Sequence, residues 1–206
     1  MAQLTWGVVL AYPLVLHACV STQRLTVASY YLAGMLLLPL VNGMVRQRGV
    51  SVFEAASGAF SLILLTVLKS HELLVFKLLP VTAHVVLFGL FAVSLQRDAT
   101  PVITRLAVAM RSELSTKEVV YTRGATIAWA AFFLIMAILS GGLALFSSDT
   151  TWSWFVNVIS YALAALFFVL EFRVRQLVLG NRVDYGFVEF LLQLMRIDVH
   201  KLIRRR

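Results

Sequence analysis

The chain has 206 residues, of which 60% are hydrophobic and only 14% are charged, with a formal net charge of +8. So few charges exclude an ordinary soluble domain of this length, because its surface must be wetted. The single cysteine, Cys19, excludes an internal disulfide and a cysteine-based zinc cluster. Since no basic soluble domain is evident, we expect the excess of Lys and Arg to face a membrane surface, and we expect no nucleic-acid binding.

Six stretches are apolar and long enough to cross a bilayer, since a spanning helix needs about 20 such residues. They cover residues 5–22, 27–45, 52–68, 74–95, 126–147 and 152–172. The third and fourth stretches are separated by a short polar segment that includes Lys69-Ser70-His71-Glu72, so the two could form a tight helical hairpin. The predicted fold class is therefore all-α: a polytopic membrane protein with about six transmembrane helices and two further amphipathic helices.

The distribution of basic residues predicts an orientation for this six-span domain, residues 1–182. With the N-terminus inside, 15 of the 18 basic residues face the cytoplasm, and only Arg24, Lys69 and Lys77 lie outside. The positive-inside rule then predicts that both termini are cytoplasmic. Residues 98–123 become a cytoplasmic loop and residues 183–206 a basic C-terminal helix. Residues 1–5 contain no Lys or Arg, so no cleavable signal peptide is predicted.

Two segments have the apolar period of amphipathic helices. The first follows Thr100 as a cap and Pro101 at the first helical position. The second follows Asp184. Either helix can lie on lipid headgroups or pack against protein, and the pattern leaves both alternatives open. The residues that share the apolar faces are Val102, Leu106, Met110 and Leu114 in the first helix, and Phe187, Phe190, Leu191, Leu194 and Met195 in the second.

Two histidines form the candidate polar site inside the membrane, where ionisable residues are costly. His84 lies in the fourth predicted span, four residues after Pro80, and His17 lies in the first. The alternative is that each is a neutral side chain bonded to a neighbouring helix. Two histidines without a third ligand make a poor metal site, so we expect no metal and no other cofactor.

A second set of candidates could bind an anionic headgroup or an acidic partner, although a plain positive-inside loop has the same composition. The candidate anion-binding residues are Arg105, Arg111, Tyr121 and Arg123 in the loop, and Arg204, Arg205 and Arg206 in the tail.

The sequence contains no common hydrolase, metalloprotease, phosphate-loop or dinucleotide motif, which favours a non-enzymatic role. Gly141-Gly142 offers a small-residue face for a possible homodimer.

The central half of the chain also carries a set of positions that resembles a known family. The positions include Lys77 to Val81, Ser94-Leu95, Pro101 to Ala107, Tyr121 to Arg123, Trp129, Phe132-Phe133, Trp152, Phe155, Asn157, Glu171 and Arg173, whereas His84 stands where an asparagine is expected. Together they resemble a family of small bacterial inner-membrane proteins found beside ketosynthases and acyl-carrier proteins in aryl-polyene and related lipid biosynthesis clusters. More distantly, the motifs Pro-x-Ile-x-Arg, Trp-x-x-Phe-Phe and the later Trp-x-x-Phe are similar to the intracellular septation protein A family.

The resemblance implies a setting in a Gram-negative inner membrane, during the synthesis of envelope lipids or pigments. The leading hypothesis is a non-enzymatic accessory or scaffold protein that recruits acyl-carrier or synthase proteins through its basic loop and tail, in contact with membrane lipids. The alternatives are a small transporter or flippase that uses His84, and a membrane acyl- or headgroup transferase.

Overall fold

The computed structural model describes residues 2–45, 52–111, 113–180 and 186–196, with residues 2–10, 39–40, 42–45, 52–54, 57, 62–72 and 194–196 described by their backbone alone. All regular structure in these ranges is helical, which confirms the predicted all-α class. The helices are α1 (Ala2–Ser21), α2 (Leu25–Val45), α3 (Val52–Val93), α4 (Val102–Met110), α5 (Thr116–Phe146), α6 (Asp149–Trp154), a π-helical segment (Phe155–Ile159), α7 (Ser160–Leu179) and α8 (Phe187–Arg196).

Three helical stretches among the described residues are long and apolar enough to cross a membrane: Leu73–Val93, Thr116–Phe146 and Asp149–Leu179. Their surfaces expose large apolar side chains, such as Leu90 and Ile138. Water would penalise these surfaces, whereas hydrocarbon does not. The structure thus indicates a multi-span helical membrane protein, while the predicted number of six spans is not confirmed.

Helix α3 corrects the predicted hairpin between the third and fourth spans. It runs unbroken for 42 residues, through residues 69–72 and with Pro80 inside it. The segment that was expected to turn contains neither glycine nor proline, so nothing in its backbone chemistry ends the helix. At the rise of an α-helix its length is about 60 Å, roughly twice the hydrocarbon thickness of a bilayer. The two predicted spans are therefore parts of one helix.

The chain divides into two compact units. Unit 1 comprises Met1–Pro80 and Ser140–Tyr161, and unit 2 comprises Val81–Leu139 and Ala162–Arg206. Helices α3, α5 and α7 contribute residues to both units. The core of unit 1 surrounds two fully buried rings, Trp152 and Phe76, and is completed by Leu16, Cys19, Val20, Ala28, Leu32 and Val156.

Polar contacts fix the helices of unit 1. Ser61 Oγ of α3 donates to the carbonyl oxygen of Ala33 in α2 at 3.1 Å. Lys77 Nζ of α3 lies 2.8 Å from Asp149 Oδ1 at the start of α6. The same ammonium group donates to the Ala144 carbonyl oxygen at 3.1 Å. Lys77 therefore joins α3 to the end of α5 and to the start of α6.

Candidate functional site

Helix α5 of unit 2 begins ten residues before its predicted span, at Thr116. A reciprocal capping box causes this early start. The Ser115 backbone N–H donates to Glu118 Oε2 at 2.8 Å, and the Glu118 backbone N–H donates to Ser115 Oγ at 3.3 Å. Tyr121 and Arg123 consequently lie on α5.

Helix α4 is anchored to its neighbours by hydroxyl groups. Its first backbone N–H, of Val102, donates to Ser94 Oγ at 3.1 Å, and Thr100 is not the cap that the sequence predicts, because Pro101 occupies the capping position. Thr104 Oγ1 lies 2.8 Å from Thr122 Oγ1 of α5, and both side chains are buried. These bonds show that the N-terminal turn of α4 packs against protein.

A buried ion pair stands at the centre of the site. Glu171 and Arg175 are one helical turn apart on α7, and the side chain of each is only 7% exposed. Arg175 Nη2 donates to Glu171 Oε1 at 2.9 Å, and the hydroxyl group of Tyr121 on α5 donates to the same oxygen at 2.9 Å. The Tyr121 hydroxyl also lies 3.0 Å from the Glu171 carbonyl oxygen. Glu171 is thus bonded within α7 by Arg175 and across to α5 by Tyr121.

Helix α8 packs on this pair through one aromatic side chain. Phe190 is 2% exposed, and its ring stacks on Phe168 and Phe172 of α7 with centroids 5.7 and 5.3 Å away. The Arg175 guanidinium carbon lies 4.7 Å from the centroid of the Phe190 ring, which is a cation–π distance. Phe187 contacts Phe168 and Phe172 as well. The apolar face predicted for the C-terminal helix therefore meets protein at Phe187 and Phe190.

An apolar cavity of about 180 Å³ lies among these elements, entirely within unit 2. Five of its lining residues are aromatic, and the Glu171–Arg175 pair forms the charged part of the wall. Trp129 of α5 links the cavity to an aromatic cluster, with centroid distances of 4.8 Å to Phe167 and 5.6 Å to Phe133. The lining residues are Phe91, Ile103, Leu106, Ala107, Met110, Trp129, Phe133, Phe168, Glu171, Arg175 and Phe190.

The predicted anion-binding residues of the loop each bond a different partner. Arg105 Nε donates to the Thr100 carbonyl oxygen at 2.8 Å, and Arg123 Nη2 donates to the Leu95 carbonyl oxygen at 2.9 Å. Arg111 Nη1 lies 3.6 Å from Glu118 Oε1. The Tyr121 hydroxyl group donates to Glu171 Oε1 of the buried ion pair. Arg204, Arg205 and Arg206 lie outside the described residues.

The two candidate histidines belong to different units, His17 to unit 1 and His84 to unit 2. His17 Nδ1 lies 3.1 Å from Ser153 Oγ, and Asn157 Nδ2 donates to the same hydroxyl oxygen at 3.1 Å. This network supports the alternative of a histidine bonded to a neighbouring helix. His84 is half-buried in the spanning stretch Leu73–Val93. Within the described part of the chain, no group of three or more His, Cys, Asp or Glu side chains could hold a metal ion.

Sequence reasoning missed the contribution of Phe190 to this site, as well as the reach of Tyr121 across to α7. The spacing Ser115-x-x-Glu118 is a known helix-start signal and would have placed Tyr121 on α5. Comparison of the whole chain with protein-family models, with characterised proteins and with solved structures gave no match.

Proposed function

We propose that this chain is a non-enzymatic accessory protein of a bacterial inner membrane, which holds an acidic acyl-carrier or synthase protein at the cytoplasmic face during envelope lipid or polyene synthesis. The family resemblance of residues 77–175 supplies the biosynthetic setting. The partner contacts Arg105 on α4 and Arg123 on α5, and the basic residues 204–206 of the sequence add further positive charge for this interaction.

The observation that carries the proposal is the way Arg105 and Arg123 are held. Each guanidinium donates one hydrogen bond to a backbone carbonyl oxygen. Neither guanidinium forms another hydrogen bond to the described residues. The remaining N–H groups are thus held in place for an outside carboxylate or phosphate. Because the side chains are already ordered, binding costs less conformational entropy than it would with freely rotating arginines.

The charge distribution agrees with this surface. Residues 94–206 contain 13 of the 18 basic residues of the chain. Opposite charge on a partner raises the rate of encounter and selects against basic competitors, and salt weakens both effects. An acidic carrier protein satisfies this requirement.

The test is crosslinking followed by affinity purification from native membranes. Three forms are compared: the full chain, the double variant Arg105→Ala/Arg123→Ala, and the matched control Arg97→Ala/Arg173→Ala, which removes the same charge from exposed positions of unit 2. We expect carrier or synthase proteins to co-purify with the full chain and the control. Recovery should fall several-fold with Arg105→Ala/Arg123→Ala and in raised salt. A chain that ends at Asn181 tests the contribution of α8 and the tail.

Two results would contradict the proposal. One is the absence of any acidic carrier or synthase at either salt concentration. The other is equal recovery with both double variants, which would mean that net charge alone, without the positioned arginines, attracts the partner.

The orientation belongs to the same proposal, with residues 94–115 and the C-terminus in the cytoplasm. In a Cys19→Ala background, a cysteine in place of Arg97 should react with a membrane-impermeant maleimide only after permeabilisation. Reaction in intact cells would contradict this orientation. If the unbroken α3 crosses the membrane once, its first residue lies outside when its last residue lies in the cytoplasm. The N-terminus is then cytoplasmic only if α1 and α2 together cross the membrane an odd number of times. The reaction of a cysteine in place of Gln3 with the same maleimide shows on which side the N-terminus lies.

A further inference from the structure

The geometry points to a binding site in unit 2 for the end of a single acyl chain, in the cavity lined by α4, α7, α8 and the aromatic residues of α3 and α5. This site does not depend on the recruitment proposed above. Its residues differ from Arg105 and Arg123, and its ligand is apolar.

The wall of the cavity suits an uncharged hydrocarbon segment. Ring and aliphatic side chains supply nine of its eleven lining residues. The two charged residues neutralise each other: Glu171 Oε1 accepts from Arg175 at 2.9 Å and from Tyr121 at 2.9 Å. The Arg175 guanidinium is also covered by the Phe190 ring at 4.7 Å. A charged headgroup would have to compete with these bonds, whereas a methylene chain would not.

The volume limits how much of a ligand can enter. At about 180 Å³ the cavity is slightly larger than an engineered apolar cavity of about 150 Å³ that binds benzene. It is smaller than the roughly 300–1,000 Å³ of a pocket that takes a whole drug-sized molecule. It therefore fits the last few methylenes of one chain rather than a complete lipid.

The surroundings supply such a chain. The cavity-lining residues of α3, α5 and α7 belong to the three stretches that are long and apolar enough to span a membrane. Linear acyl chains are the abundant apolar ligands of that environment. Helix α4 faces the cavity with Ile103, Leu106, Ala107 and Met110, so a change on this one helix can block it.

The test uses full-length protein in phosphatidylcholine nanodiscs and dodecanoic acid that carries a diazirine at its methyl end. After illumination, mass spectrometry locates the adducts. We expect them on cavity residues such as Leu106, Met110 and Phe190, and we expect excess unlabelled dodecanoic acid to suppress them. Ala107→Leu fills the cavity and should lower labelling at these residues about tenfold, because the loss of as few as two buried methylenes has that effect on affinity.

Ala109→Leu is the matched control, since it makes the same change on the same helix at an exposed position outside the cavity lining. It should label like the unmodified protein. Met110→Phe, at the last residue of α4, fills the cavity independently if Ala107→Leu does not fold. Equal labelling in filled and control variants would overturn the proposal. So would adducts that are spread over lipid-facing residues such as Leu90 and resist competition, because they would report bulk lipid only. Both filling variants keep Arg105 and Arg123, so a failure here leaves partner recruitment unaffected.

Discussion

Replacing Arg175 with methionine should lower the free energy of unfolding by about 3–5 kcal/mol, because it leaves the Glu171 carboxylate buried without its positive partner. The side chains of both residues are 7% exposed, so water cannot replace the lost interaction. Tyr121 alone would then compensate the charge through its bond to Glu171 Oε1 at 2.9 Å. The measurement is the midpoint of denaturant-induced unfolding in detergent, followed by far-UV circular dichroism.

Arg173→Met is the control for this prediction. It removes the same guanidinium group from the same helix, but at an exposed position. We expect a change within about 0.5 kcal/mol. The double variant Glu171→Gln/Arg175→Met should recover much of the loss, since neither charge then remains unpaired. Equal effects of Arg175→Met and Arg173→Met would show that the buried pair does not stabilise unit 2.

Replacing Phe190 with alanine should release α8 from α7. The ring is 2% exposed and stacks on Phe168 and Phe172. A buried Phe→Ala change costs about 3–5 kcal/mol in a protein core. Because α8 is a short helix of 10 residues, this cost should appear first as local opening rather than as global unfolding.

Limited trypsin digestion measures this opening, because cleavage of a transiently opened segment follows the population of its open form. We expect cleavage around α8 to become at least about tenfold faster in Phe190→Ala. Val188→Ala provides the comparison on the same helix, since the Val188 side chain is 68% exposed. Trypsin should cleave this variant at the same rate as the unmodified protein. If both variants digest alike, Phe190 does not hold α8 in place.

Several features of this site were predictable because their signals are local. Three of the apolar runs coincide with helices that are long and apolar enough to span a membrane, and the period of apolar residues marks α4 and α8. The spacing of Glu171 and Arg175 by four residues allows an ion pair on one helix. The start of α5 was also encoded locally, in Ser115-x-x-Glu118. Counting apolar residues alone placed that start ten residues too late.

The continuity of α3 shows where hydropathy fails as a guide. A polar interruption such as residues 69–72 suggests a loop because a loop at the membrane surface has the same composition. Helix formation, however, depends on backbone compatibility, and Lys, Ser, His and Glu are all accepted in a helix. Polarity therefore indicated that these residues differ from their neighbours, but it did not determine that the chain turns.

The sequence by itself determined the helical class, three stretches that are long and apolar enough to span a membrane, the two amphipathic helices and the excess of positive charge in residues 94–206. Each of these depends on composition or on short-range spacing. Only the tertiary structure decided that Tyr121 reaches Glu171 across 50 residues of chain and that Phe190 covers Arg175. It also decided that Glu171, Arg175 and Phe190 line a cavity together with α4. The physical reason is that such contacts arise between side chains far apart in sequence, whose meeting depends on how whole helices pack.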